Sequence, residues 1–260
     1  MSVISEKDTK ILEVSDLKLC YDKHVVLDNL SFSVNQGDCM AIMGSSGCGK
    51  STLLKSMVGL LSPRAGEILI HGKSLWGKRL VPNPSVFRSF GVLFQGSALW
   101  SSMTLLENIL LPLEIFSSLS HGEREELAYY KLRLVGLNGS ESLYPSQLSG
   151  GMKKRAGIAR ALALDPQILF FDEPSAGLDP INARKLDELI TDLKENLGLA
   201  FVIISHELQS IFSTADHAIF LSASSKNIVA KGKPADLLSF EGVPELSEFL
   251  ESRHTFKIRA

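Results

Sequence analysis

The stretch Met43–Thr52, MGSSGCGKST, contains three glycines, three serines and a lysine. It lies between an apolar run, Cys39–Met43, and a segment whose apolar residues recur at helical spacing. Residues 44–51 match the pattern GxxxxGK[ST], in the order of strand, loop and helix that gives this pattern its meaning. The alternative is an ordinary connection rich in glycine and serine. The match favours a loop shaped to bind a ligand.

The composition of this loop indicates a phosphate-binding site. Glycines let successive backbone N–H groups point inward, and these groups, with the N-terminus of the following helix, cradle phosphate oxygens. Lys50 is predicted to reach the β- and γ-phosphates, Ser51 to ligate Mg²⁺, and Thr52 to lie near the α-phosphate. The loop residues predicted to bind nucleotide are Gly44, Ser45, Ser46, Gly47, Cys48, Gly49, Lys50, Ser51 and Thr52.

Two acidic residues complete the predicted site. The apolar run ILFF, residues 168–171, is followed by Asp172 and Glu173. Because an acid at the carboxyl end of a buried strand can hold Mg²⁺ beside a phosphate loop, Asp172 is assigned that role. Glu173 is predicted to polarise the attacking water as general base. Taken alone, the pair fits equally well two exposed acids that open a loop before Pro174.

Composition and charge narrow the function classes. The chain has 260 residues and a formal net charge of −2, so no nucleic-acid partner is expected. Its three cysteines lack metal-ligand spacing and are predicted to be reduced thiols of a cytosolic protein. The polar N-terminus is unlike a signal peptide, and no apolar run approaches the about 20 residues of a membrane helix. A membrane role would therefore require a partner.

Hydrophobic periodicity predicts an α/β fold. Leu12–Tyr21 and Leu30–Val34 alternate apolar and polar residues, which favours half-buried antiparallel strands. Further apolar runs of β type alternate with helical segments, which indicates a parallel sheet. These runs are residues 167–172, 200–205 and 218–222. Residues 96–164 are predicted to be mostly helical and to form an insertion in the α/β body.

The stretch LSGGM, Leu148–Met152, lies before the two acids. Together with the phosphate loop it resembles the signature of ABC-type ATPase cassettes, and the similarity spans nearly the whole chain. The resemblance implies a single ABC ATP-binding domain over residues 1–260 with a P-loop NTPase fold. Residues 1–95 and 165–260 would form a RecA-like core with an antiparallel β subdomain. Residues 96–164 would form the helical subdomain that carries the signature.

Four further positions match this family in their order along the chain. The resemblance implies that Tyr21 stacks on adenine and that Gln95 senses Mg²⁺ and water and couples to a transporter partner. It implies that the loop Ala176–Asp179 crosses to a second cassette, where Asp179 contributes to nucleotide binding. It also implies that His206 contacts the γ-phosphate.

The serine and glycines of the signature are suited to bind an anion at the start of a helix. Ser149 can cap a helix, and Gly150 and Gly151 leave backbone N–H groups uncovered, which makes an anion site. In the family that anion is the γ-phosphate held by the other subunit, so two copies would sandwich two ATP molecules. ATP would close this homodimer, and hydrolysis would let it open. The basic residues Lys153–Arg155 are predicted to form a solvated helix face.

Met152 and the stretch GLDP, Gly177–Pro180, are similar to one branch in particular, the ATPases of Mla-type phospholipid systems. That resemblance implies an ATPase on the cytoplasmic side of the inner or plasma membrane. It would drive a separate integral permease, with a lipid-binding accessory protein as a further partner. Leu99 and Trp100 are candidates for the docking surface; core packing is the alternative for both.

Other functions stay open at this stage. One is a non-transport ABC ATPase that regulates a membrane or cell-envelope partner, and another is a transporter of a different substrate. A small-molecule kinase would use the same phosphate loop but would have no need of LSGG. The C-terminal stretch, residues 245–260, either packs on the body, joins a dimer or extends freely.

Overall fold

The computed structural model describes residues 9–77, 80–240 and 242–253. Its strands are β1 (Lys10–Tyr21), β2 (His24–Asn35), β3 (Cys39–Gly44), β4 (Ala65–Ile70), β5 (Lys73–Ser74), β6 (Phe90–Leu93), β7 (Ile168–Asp172), β8 (Ala200–Ile204), β9 (His217–Leu221) and β10 (Ile228–Gly232). Its α-helices are α1 (Lys50–Met57), α2 (Leu105–Phe116), α3 (His121–Leu134), α4 (Gly150–Ala161), α5 (Pro180–Leu197), α6 (Leu208–Thr214), α7 (Pro234–Leu237) and α8 (Pro244–Arg253). Short 3-10 turns occupy Pro84–Val86 and Pro145–Gln147.

A six-stranded sheet in the order β10-β9-β3-β8-β7-β6 forms the centre of the molecule. Its pairs from β9 to β6 are parallel, and only β10 runs antiparallel to its neighbour. Strands β3 and β8 are buried along their whole length, as expected for parallel strands covered on both faces. The loops that follow β3, β6, β7 and β8 therefore leave the sheet at the same edge.

A four-stranded antiparallel sheet in the order β2-β1-β4-β5 covers one face of the central sheet. One buried apolar cluster joins alternate residues of β1 and β2 to α1 and to Met40, Ile42 and Phe170 of the central strands. The antiparallel strands predicted from alternation in Leu12–Tyr21 and Leu30–Val34 are confirmed. Alternation identifies them because only one face of each strand is buried.

Helices α2, α3 and α4 lie within the segment predicted to be helical. Thr104 and Ser120 begin α2 and α3 with capping boxes, in which each side chain and a glutamate three residues later exchange hydrogen bonds with backbone N–H groups. The buried residues of these helices form one cluster with Leu169 and Phe171 of β7. The helical segment thus shares its core with the other face of the sheet.

The last described helix, α8, packs on the body. Leu246, Phe249 and Leu250 are buried in a third cluster with Met43 of β3. The Phe249 ring meets Phe220 of β9 edge to face, with 5.4 Å between the ring centroids. Of the three possibilities for the C-terminal stretch, packing holds for α8, and residues 254–260 lie outside the described residues.

Candidate nucleotide-binding site

The loop between β3 and α1 requires glycine at two positions. Gly44 has φ 150°, and a Cβ there would lie 2.5 Å from the Cys48 Sγ and 2.6 Å from the Leu221 carbonyl oxygen. Gly49 has φ 104°, and a Cβ there would lie 2.9 Å from Leu27. Both positions combine a positive φ with close neighbours, so the loop can follow this path only without side chains.

Lys50 is the first residue of α1 and folds back onto the loop. Its Nζ donates hydrogen bonds to the carbonyl oxygens of Gly44 at 2.7 Å and Ser45 at 2.9 Å. The first turn of α1 carries no acidic residue. The lysine charge and the N-terminus of the helix therefore act together on the same side of the loop, where an anion would be stabilised.

The loop forms one wall of a cavity of about 390 Å³, within the range of small-ligand sites. The walls come from the loops after β3, β7 and β8 and from α8. The lining residues are Gly44, Ser45, Ser46, Lys50, Glu173, His206, Glu245, Glu248 and Phe249. Ser51 and Thr52 continue into α1, with Ser51 exposed. The fold thus brings the predicted glycine loop, glutamate and histidine together.

Glu173 and His206 form a hydrogen-bonded pair, with 2.7 Å between Glu173 Oε1 and His206 Nδ1. The second carboxylate oxygen of Glu173 is buried and has no hydrogen-bond partner among the described residues. Glu173 has φ 48°, a left-handed conformation that is uncommon for a residue with a side chain. His206 thus holds the Glu173 carboxylate through one oxygen, and the second oxygen keeps an unused acceptor site.

Asp172 is the last residue of β7, and its carboxyl group is half-buried. Burial raises the pKa of Asp172, and the negative charge of Glu173 adds to this effect. The positive charges of Lys154, Lys50 and Lys55 oppose it. A divalent cation at this position would likewise favour the ionised carboxylate.

The donor atoms fit Mg²⁺, which takes oxygen ligands and retains several waters beside phosphates. Asp172 offers a carboxylate and Ser51 a hydroxyl. Within the described part of the chain, no three His, Cys, Asp or Glu side chains form a set that could hold a metal ion. Such a small donor set suits a cation that is bound largely through phosphate oxygens and water.

Cys48 is buried within the loop. Burial raises the pKa of the Cys48 thiol, and the nearby Lys50 only partly opposes this effect. The protonated thiol is a weak nucleophile, so the structure gives no support to a redox role for this residue.

The remaining predicted site residues do not line the cavity. Tyr21 lies at the end of β1, where its side chain is 45% exposed, and Gln95 is exposed in the loop after β6. Ser149 is the N-cap of α4, where its Oγ accepts a hydrogen bond from the Met152 N–H. Asp179 is the N-cap of α5 and accepts hydrogen bonds from the backbone N–H groups of residues 181 and 182.

The signature and the loop before α5 form one surface. A Cβ at Gly150 would lie 3.4 Å from Leu178, and one at Gly151 would lie 3.5 Å from the Asn182 side chain. Ser149 and Gly150 are exposed beside this contact. An anion bound at the start of α4 would therefore be separate from the glycine loop of the same chain.

The prediction that Lys153–Arg155 form a solvated helix face is wrong for Lys154. This side chain is only 5% exposed, and its Nζ donates to the carbonyl oxygens of Gln95 and Glu173. The reason is that α4 packs against β6, with Gly157 close to Leu93, so position 154 faces the sheet. Lys154 lies three and four residues before the buried Gly157 and Ile158, on the same face of α4. This helical spacing was the feature of the sequence that indicated its burial.

Helix α8 also forms part of the cavity wall, which the sequence did not predict. Glu245, Glu248 and Phe249 line the cavity opposite the glycine loop. Hydrogen bonds from Ser224 and then Ser222 lower the pKa of Glu245, so this carboxylate is ionised at neutral pH. The wall formed by α8 is therefore acidic.

A glycine loop with its lysine, a strand-terminal aspartate and a glutamate held by histidine share the carboxyl edge of a parallel sheet, the geometry of P-loop ATPases. A family model described as ABC transporter matches residues 27–176. The chain belongs to the ABC transporter family, and it is an ATP-binding and ATP-hydrolysing cassette. The family and fold predicted from the sequence are confirmed.

Relatives with this architecture differ in what they are described to transport. The chain is 36% identical over 249 residues to the intermembrane phospholipid transport system ATP-binding protein MlaF of Haemophilus influenzae, covering 96% of this chain and 93% of the relative. It is 36% identical over 242 residues to the probable ribonucleotide transport ATP-binding protein Mkl of Mycobacterium tuberculosis, covering 93% and 67%. A dimeric, post-hydrolysis ATP-binding cassette bound to ADP and Pi matches with a TM-score of 0.75 and 29% identity, covering 86% and 98%.

None of the helices within the described ranges has the length and apolar character needed to cross a bilayer.

Proposed function

We propose that this chain is the ATPase subunit of a transporter that moves phospholipids, acting from the cytoplasmic side of the inner or plasma membrane. The observation that carries the substrate class is the 36% identity to MlaF over 96% of the chain. A second candidate is transport of another substrate, because the identity to Mkl is also 36%. In either case ATP hydrolysis would drive a separate integral permease, and a lipid-binding accessory protein is a further proposed partner.

In this proposal, residues in and around the cavity have separate roles in hydrolysis. Lys50 and the loop N–H groups hold the phosphates, while Asp172 and Ser51, with Gln95, hold Mg²⁺. The cation neutralises charge on the phosphates when it is bound. Glu173 takes the proton of the attacking water, and His206 fixes the orientation of Glu173 and contacts the γ-phosphate.

Two copies of the chain are proposed to share each nucleotide. The start of α4 is exposed and lies away from the cavity of its own chain, which supports a role toward a phosphate held by a second copy. Asp179 would lie at the same contact, and Tyr21 would stack on adenine. The dimeric relative bound to ADP and Pi supports an arrangement of this kind.

The helical subdomain, proposed as residues 96–164, would face the permease. Trp100 is 57% exposed, whereas Leu99 packs against the helical core, so Trp100 is the better docking candidate of the two. Beside it α2 borders a groove of about 420 Å³. The groove residues are Ser102, Met103, Glu107, Leu110, Leu111 and Glu114. Apolar and acidic groups side by side suit an amphipathic helix with basic residues.

A test of this proposal is to purify the tagged chain with its partners from native membranes and identify protein and lipid by mass spectrometry. We expect an integral membrane protein and bound phospholipid. The complex is then placed in phospholipid vesicles, and transfer of a labelled phospholipid is compared with uptake of a labelled ribonucleotide. ATP-dependent phospholipid transfer supports the first candidate. Ribonucleotide uptake without lipid transfer would replace it with the second.

A further inference from the structure

The buried ammonium group of Lys154 contacts the backbone of Glu173, the predicted general base. Lys154 projects from α4, and its side chain is only 5% exposed. Its Nζ lies 2.6 Å from the carbonyl oxygen of Gln95 and 3.1 Å from that of Glu173. A buried ammonium is costly unless it is hydrogen-bonded and faces negative charge. Both conditions are met here: burial lowers the pKa of Lys154, and the negative charges of Asp172 and Glu173 partly offset this effect.

The two carbonyl groups belong to neighbouring strand ends. Strands β6 and β7 are parallel, and Leu93 pairs with Phe171. Gln95 and Glu173 each lie two residues beyond this pair, so they leave the sheet at the same level. The Lys154 ammonium spans the gap between them. One side chain of the signature helix therefore links the loop after β6 to the residue after β7.

The backbone of Glu173 is held from three directions. Its N–H donates to the Ile204 carbonyl at 2.9 Å, and its carbonyl accepts from the Ala176 N–H at 3.2 Å as well as from Lys154. These bonds support a left-handed conformation that is unfavourable at a residue with a side chain. The direction of the carboxylate toward His206 depends on this conformation.

The same helix also holds the next residues of the loop after β6. The Arg160 guanidinium donates to the Ser97 carbonyl at 3.0 Å and to the Ala98 carbonyl at 2.7 Å. Ser97 and Ala98 have φ of 60° and 49°, so this part of the loop also adopts left-handed backbone. Helix α4 thus fixes the loop along residues 95–98, with Lys154 as the only one of these contacts that reaches Glu173.

We propose that Lys154 is a positioning residue for ATP hydrolysis, which fixes the Glu173 carboxylate and couples it to the loop that begins at Gln95. The inference rests on the proposed role of Glu173 as general base. Movement of α4 or of the loop after β6 is transmitted to Glu173 through this ammonium.

The test compares K154M, K154R and the control K153M in the full-length chain. Lys153 lies next to Lys154 on the same helix, and its side chain makes no hydrogen bond or ion pair with another described residue. We expect K154M to lower kcat about tenfold. Misplacing a catalytic group lowers the rate less than removing it, which costs about 10²–10⁴-fold. The Kd for ATP, measured with a fluorescent analogue, should change less than about twofold, because Lys50 and the glycine loop are intact. K154R should recover most of the rate, and K153M should match the wild type.

The split between kcat and the Kd for ATP gives a readout that a merely structural role would not produce. A general loss of structure would lower the folded fraction, ATP binding and turnover together. Displacement of the Glu173 carboxylate alone should lower kcat and leave the Kd for ATP unchanged.

Several outcomes would overturn the inference. One is a K154M enzyme with unchanged kcat. Another is a loss of activity that K154R does not recover and that follows the fraction of folded protein in thermal unfolding. If K154M does not fold, K154Q keeps a neutral N–H donor and undergoes the same comparison. The variant E173Q separates the two proposals: wild-type turnover in E173Q refutes the general base, whereas an inactive E173Q beside an unaffected K154M refutes only the role of Lys154.

Discussion

Replacing Glu173 with glutamine should stop turnover while leaving ATP bound. The side chain of Glu173 is only 13% exposed, and its Oε1 lies 2.7 Å from His206 Nδ1. A glutamine has the same shape, and its carbonyl oxygen can accept the same hydrogen bond from a protonated Nδ1. The substitution therefore removes the proton acceptor without opening a cavity in the site.

The size of the effect follows from the role assigned to the carboxylate. Loss of a general base lowers the rate about 10²–10⁴-fold. At about 1.36 kcal/mol for each factor of ten, the barrier rises by about 2.7–5.4 kcal/mol. Lys50 and the loop N–H groups do not contact the altered atom, so ATP affinity should be preserved. A dimer closed by ATP should then accumulate.

The assay measures phosphate release with Mg-ATP, ATP binding, and the oligomeric state by light scattering. Glu207→Gln is the matched control, since Glu207 also faces His206, with 3.3 Å to Nε2, but is 52% exposed. We expect the control to keep its rate within about twofold, because surface ion pairs contribute little. Wild-type turnover in E173Q would refute the general-base assignment. Loss of ATP affinity in proportion to turnover would show that Glu173 acts in binding instead.

The remaining predictions concern the cavity wall and the permease surface. G44A should abolish detectable ATP binding in a filter or fluorescence assay, because its Cβ would lie 2.6 Å from a backbone oxygen; G47A, which meets nothing within 4 Å, should incur only the left-handed backbone cost of about 1–2 kcal/mol. Equal losses in both variants would contradict this. E248Q should tighten ATP binding about two- to threefold at low salt and have no effect at high salt, because the exposed charge faces the phosphates and is screened; a salt-independent change would refute the electrostatic explanation. W100E should abolish co-purification of the proposed permease without lowering the melting temperature. The control Y129E, at an exposed tyrosine of α3, should retain the partner. Retention of the partner by W100E would refute the docking proposal.

The local chemistry of the site could be predicted from the sequence. The loop Gly44–Thr52 is one continuous segment, and its glycines and lysine act through backbone conformations set by neighbours in the chain. The same holds for Ser149, because an N-cap is defined within a few residues of a helix start. Glu173 and His206 follow apolar runs that could only be central strands. The register of β7 and β8 then brought these two residues to within hydrogen-bonding distance.

The sequence by itself determined the glycine loop, the acids at a strand end and the capped signature helix, since each depends on residues adjacent in the chain. Only the tertiary structure decided that Lys154 is buried between Gln95 and Glu173, and that the acids of α8 face the glycine loop. Lys154 is 59 positions from Gln95 and 19 positions from Glu173 in the chain. The acids of α8 are about 200 positions from the glycine loop. The existence of these contacts depends on which helix face packs on which strand. The residue type does not determine this packing, because the same basic or acidic side chain can be solvated or buried according to how its helix packs.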